Sequence, residues 1–130
     1  MSVPEVETVL AWHEALNAGD AERVASLSQP DVEVGGPRGV ARGRQVLRDW
    51  VARANVRLEP LQLFRRDQTV VVEEAATWSD APSGETVGEA TVATVFALDG
   101  GLVAGIFRYD GLEEALRGAG LDRSDEIPAK

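Results

Sequence analysis

Cysteine is absent from the chain, so neither disulfides nor thiolate chemistry is available to it. There is one histidine, His13, so a zinc site would have only that His and carboxylates to draw on; no metal and no other cofactor is expected. No apolar run approaches the ~18–20 residues of a membrane span. The start, Met1-Ser2-Val3-Pro4-Glu5, has neither the basic residues nor the apolar stretch of a secretory signal, which points to the cytoplasm. Positive charge is scarce, with 13 basic against 22 acidic residues and a net charge of −9. Nucleic acid and anionic membranes are poor partners for such a surface, since both are neutralised by Lys and Arg. Plain solubility is the simpler reading of the charge. The only lysine is Lys130 among 13 basic residues, and with much Ala, Gly and Val this suggests a GC-rich bacterial genome.

What is present is enough for a core. The 130 residues are 44% hydrophobic, which fits one domain that folds without staples. Residues 5–18 read as a helix, with Val6, Val9, Leu10, His13 and Leu16 on one face. Gly19 suits the left-handed position after a helix, and Asp20 suits the N-cap of a second helix over 20–28. Pro30 stops it. Residues 31–34 alternate as a short strand, 35–39 form a loop, and a third helix covers about 43–54 with Val46, Leu47, Trp50 and Val51. The period then changes to two. Strands are expected at 57–66, 69–79, 85–98 and 102–109, with turns at 66–68 and 80–84 and a strong hairpin signal at Asp99-Gly100-Gly101. A short helix at 111–118 closes the unit, and 122–130 reads as a polar tail that frays. The expected boundaries are a single domain over 1–118 and a polar tail over 119–130. Helices first and hairpin-linked strands after argue an α+β fold. Long strands wrapping three helices must curve, so a curved antiparallel sheet forming a cone with an internal cavity is expected.

That order, with the run Trp12-His13-Glu14-Ala15-Leu16-Asn17-Ala18-Gly19-Asp20, resembles the nuclear transport factor 2-like superfamily, above all the branch of SnoaL-like polyketide cyclases and ketosteroid isomerases. Asp31-Val32-Glu33-Val34-Gly35-Gly36-Pro37, the helix start at 43–50, and Asp99-Gly100 with Tyr109-Asp110 support the likeness, which spans about residues 5–118. The resemblance implies the cone fold, a small-molecule ligand and a homodimer through the convex sheet face, with Val70, Val72, Ala93, Val95 and Ile106 on that face. It is specific for fold and weak for chemistry, because one fold hosts many functions. The ketosteroid isomerase roles do not carry over. The general-base aspartate matches Gly36, the oxyanion-binding tyrosine matches Trp12, and the second oxyanion donor matches Thr94. The limonene-epoxide hydrolase aspartate falls at Phe107. Both activities are disfavoured.

Strand parity anchored at Thr94 places Phe96 inward as well, and sends Phe107, Tyr109 and Glu73 inward from their strands, with Glu74 on the opposite face; a one-residue slip swaps Glu73 with Glu74. Glu73 and His13 are the candidate catalytic pair. Burial disfavours the charged form of a carboxylate, and an imidazole titrates near neutrality, so the two together suit general acid–base work. The structural alternatives are a Glu73 paired with arginine or at the rim, and a core His13 with one hydrogen bond. Trp12, Trp50, Thr94, Phe96, Phe107 and Tyr109 are the candidate substrate contacts, or else ordinary core. Arg38, Arg42 and Arg44 either recognise an anionic group at the mouth or form a solvated charge run. Three functions follow: cofactor-free acid–base catalysis on an apolar small molecule (isomerase, cyclase, dehydratase or hydrolase), a non-catalytic binding module with the same cavity, or an interaction domain with its cavity packed shut.

Overall fold

The structure, a computed structural model, describes residues 4–36, 39–79 and 85–127. Helix α1 (Pro4–Asn17) buries Val9, Trp12, His13, Ala15 and Leu16. It ends in a Schellman turn. Gly19 adopts φ +72°, its N–H reaches the Leu16 carbonyl, and the Asp20 N–H reaches that of Ala15. Asp20 then caps α2 (Ala21–Ser26) by accepting the Arg23 N–H at 3.1 Å. Both residues hold the positions expected from their chemistry.

Strand β1 (Ser28–Gly36) is longer than its alternation suggests, takes in the first two residues of the expected loop at 35–39, and pairs with a second strand, β2 (Gly39–Arg42), that was not expected. All four β2 residues are exposed, so the strand has no buried face to leave a period in the sequence. Of the expected loop, residues 37 and 38 lie outside the described residues, as does the turn at 80–84. Helix α3 (Arg44–Ala54) is followed by β3 (Val56–Arg66), β4 (Thr69–Ser79), β5 (Thr86–Asp99) and β6 (Leu102–Tyr109). The six strands form one curved sheet in the order β2-β1-β6-β5-β4-β3, antiparallel except where β1 runs parallel to β6. This is the expected α+β architecture.

Two hydrophobic clusters sit on the two faces of that sheet. Helices α1, α2 and α3 cover the inner face, against Val70 and Val72 of β4, Phe96 of β5 and Ile106 of β6. Helix α4 (Leu112–Ala119) packs on the outer face, where Leu112, Ala115 and Leu116 meet Phe64, Val71 and Val95. The proposed dimer face is therefore corrected. Val70, Val72 and Ile106 belong to the inner core, and Ala93 and Val95 lie in the outer cluster formed with α4.

The segment expected to fray is docked as far as residue 127. Ile127 donates its N–H to the Leu63 carbonyl at 2.8 Å, Glu126 bridges to Phe64, and Leu121 is buried. Asp122 and Asp125 form a capping box around the 3₁₀ turn Arg123–Asp125, and Arg66 reaches Asp125 at 2.8 Å. These contacts occupy part of the open edge of β3. The Asn17 amide occupies another part: it donates to the Leu58 carbonyl and accepts the Leu58 N–H, both at 2.9 Å. Among the described residues, no helix is long and apolar enough to cross a membrane.

Candidate active site

The partner of His13 is Glu74, not Glu73. Helix α1 turns the imidazole toward β4, where Nε2 lies 2.5 Å from Glu74 Oε2. The other nitrogen, Nδ1, lies 2.7 Å from the Val9 carbonyl. A carbonyl only accepts, so Nδ1 carries a proton. The Nε2–Oε2 contact needs one further proton, held by either partner. The pair is thus imidazolium with carboxylate, or neutral imidazole with carboxylic acid. Thr94 Oγ1 donates to Glu74 Oε1 at 2.6 Å, and that bond fits both forms. The ensemble is almost closed to solvent, with Glu74 at 0% and His13 at 2% exposure.

Glu73 is half-buried on the other face, opposite Gln62 and Ala93. The parity error has a physical source. Val70, Val71 and Val72 are all fully buried, because β4 is covered on both faces, so a period of two leaves no trace there. Register across the sheet resolves it. Thr94 faces Val72 and Glu74 faces Val92, which puts Glu74 on the Thr94 side.

Phe107 and Tyr109 are also corrected: both pack with the outer cluster. The Asp99-Gly100-Gly101 turn pairs Leu98 with Val103, and that register continued would set Thr94 opposite Phe107. A shift between Ala97 and Leu98 leaves Ala104 as an extra residue, so Thr94 instead faces Arg108. Phe107 then lies over two glycines of the outer face. A Cβ at Gly105 would come within 2.7 Å of its ring, and one at Gly35 within 2.8 Å.

Between the helices and the inner face lies a cavity of about 690 Å³. All three tryptophans of the chain, Trp12, Trp50 and Trp78, line it. Leu47, Val56 and Val92 add aliphatic wall, and Thr94 contributes a hydroxyl. Trp12 stacks on Trp50 at 6.2 Å and meets Phe96 edge-on at 5.2 Å. Phe96 thus supports Trp12 and His13 from beneath and is not part of the wall. Trp78 and Arg108 line the cavity although sequence reasoning passed them over. The signal for Trp78 was the parity of Glu74 carried along β4; Arg108, on β6, left none, because the bulge at Ala104 sets its facing.

His13 and Glu74 stay behind that wall, and Thr94 links the cavity to the pair through its hydrogen bond to Glu74. His13 also borders a shallower groove between α1 and β3, with Asn17 and Arg57. The indole N–H of Trp12 is buried and finds no hydrogen-bond partner among the described residues. A buried donor left unpaired costs about 1–3 kcal/mol. The arginine cluster has other duties. Arg44 donates twice to the Ser28 carbonyl, at 2.8 and 3.0 Å, Arg42 pairs with Glu33 at 3.4 Å, and Arg38 lies outside the described residues.

A curved sheet closed by helices over an internal cavity is an NTF2-like fold, and solved structures bear this out. An NTF2-like protein of unknown function from Cytophaga hutchinsonii has a TM-score of 0.71 at 14% identity, over 92% of this chain and 97% of that one. A putative polyketide cyclase from Xanthomonas campestris has a TM-score of 0.71 at 20% identity, over 85% and 93%. SalBIII, an epoxide hydrolase/cyclase-like enzyme with a role in pyran ring formation in the polyether salinomycin, has a TM-score of 0.72 at 22% identity, over 84% and 92%. The sequence carries the likeness further: the chain belongs to the SnoaL-like domain family, whose model matches residues 9–106. No curated protein sequence matches it significantly.

Proposed function

We propose that this is a cytoplasmic small-molecule pocket protein that performs cofactor-free acid–base chemistry on an apolar substrate: isomerisation, cyclisation, dehydration or hydrolysis. The observation that carries the reading is the position of Thr94, which lines the cavity and donates to Glu74. A proton leaving the substrate passes to Thr94 Oγ1 as the proton of Thr94 passes to Glu74 Oε1. The imidazolium–carboxylate form of the pair thereby becomes imidazolium with carboxylic acid, and reversal returns the proton to another substrate atom. The groove beside His13 offers the pair a route for exchange with solvent. Trp12, Trp50 and Trp78 hold the apolar body of the substrate.

A second reading, a binding module without turnover, draws on one observation: neither His13 nor Glu74 lines the cavity. Hydrogen–deuterium exchange at the enolisable carbons of 2-tetralone, followed by NMR, separates the two. A catalyst accelerates exchange about a hundredfold over buffer, and Thr94→Val and Glu74→Gln each abolish most of that gain. Binding of 2-tetralone with exchange at the buffer rate establishes the module instead. The homodimer is also retained as a proposal, with no interface assigned. A single monomeric species in sedimentation at micromolar concentration overturns it.

A further inference from the structure

We propose that the ligand is an organic acid: its carboxylate pairs with Arg108 at the cavity mouth, and an acceptor oxygen on its apolar body takes the Trp12 indole N–H. This rests on the cavity being the ligand site. Among the described residues, Arg108 is the only charged side chain lining that cavity, in a chain whose net charge is −9. Its guanidinium is half-exposed and only loosely engaged, 3.7 Å from Asp110 Oδ1. It is thus free to form the planar, paired hydrogen bonds that guanidinium makes with carboxylates. Arg108 also sits directly opposite Thr94 across the β5–β6 ladder, so the cation and the hydroxyl that touches Glu74 are neighbours on one face.

The second anchor is the opposite kind of group. Of the buried polar side-chain atoms without a partner among the described residues, only Trp12 Nε1 belongs to a cavity-lining residue. An indole N–H can only donate, so it selects for an oxygen acceptor. Together, a cation at the mouth and a lone donor in an aromatic wall define a ligand with a carboxylate, an apolar body and one further oxygen. Arg42 and Arg44 do not supply the anion site: neither lines the cavity, and they are engaged with Glu33 and Ser28.

The test is calorimetric titration of the protein with three flat probes: 6-hydroxy-2-naphthoic acid, its methyl ester, and 2-naphthoic acid. The hydroxy acid is expected to bind about tenfold tighter than the ester at low salt, and about fivefold tighter than 2-naphthoic acid. Arg108→Gln brings the first ratio to about one and leaves the second unchanged. Trp12→Phe does the reverse. Equal binding of acid and ester to the unmodified protein, or an acid preference that survives Arg108→Gln, overturns the proposal while leaving the cavity a ligand site. Binding of none of the three overturns the proposal together with the pocket reading beneath it.

Discussion

The two faces of the one sheet are finished in opposite ways. On the outer face, one short helix and three aromatic rings, Phe64, Phe107 and Tyr109, fill the space, with glycines at 35 and 105 giving way to the Phe107 ring. On the inner face, three helices and all three tryptophans leave about 690 Å³ unfilled, and a His–Glu–Thr hydrogen-bonded set is buried beside the gap. Alternate residues of the same strands serve both. The burial gained in the outer layer offsets the void and the buried polar groups of the inner layer, which by themselves would destabilise the fold.

The sharpest way to break this contrast is to change two adjacent residues that face apart. Glu74→Ala leaves His13 Nε2 without its partner and is expected to lower the unfolding free energy by about 3–5 kcal/mol in urea titration. Glu73→Ala, one residue away and half-buried, is expected to change it by less than about 0.5 kcal/mol. Next in size, Gly105→Ala drives a methyl into the Phe107 ring and costs about 1–3 kcal/mol, read as a lower melting temperature. Matched deletions then compare the packing of the faces. Val71→Ala on the filled face costs about 2 kcal/mol, whereas Val92→Ala, whose methyls already face the cavity, costs about half as much. The smallest effect is at the C-terminal end of the outer layer. Hydrogen bonds from the Ser124 hydroxyl and N–H hold the Asp122 carboxyl below its ordinary value. Its contribution is therefore present above the unfolded-chain value and is lost as pH falls through the folded one. The protection factor of the Ser124 amide should fall across that acid range, and in Asp122→Asn it should be insensitive to it.

The same contrast explains what could be read from the sequence. Helix α1 and its Gly19-Asp20 ending were legible because a helix with one wet face leaves a period and its caps have a chemistry of their own. The α+β class followed from the order of helices and strands. The pairing of His13 with a carboxylate was legible as a pair of residue types but not as a residue number. Where both faces of a strand are covered, as at Val70-Val71-Val72, hydrophobicity does not alternate, and facing is decided by register with neighbours far along the chain. Phe107 and Tyr109 were misplaced for a related reason: a bulge has no hydrophobic signature. The docked segment 121–127 is held mostly by hydrogen bonds and ion pairs, which composition presents as a solvated tail.

Ala104 makes the cavity wall a matter of counting. Leaving Ala104 unpaired between the Gly100-Gly101 turn and Gly105 is what brings Ile106 and Arg108 inward and turns Phe107 and Tyr109 away. Were Ala104 to pair with Ala97 instead, the two sets on β6 would change places with every amino acid kept: an aliphatic and a cation for two aromatic rings. Deleting Ala104 would instead straighten the strand and keep Arg108 opposite Thr94, so the lining of the cavity tolerates a change of strand length at that one position.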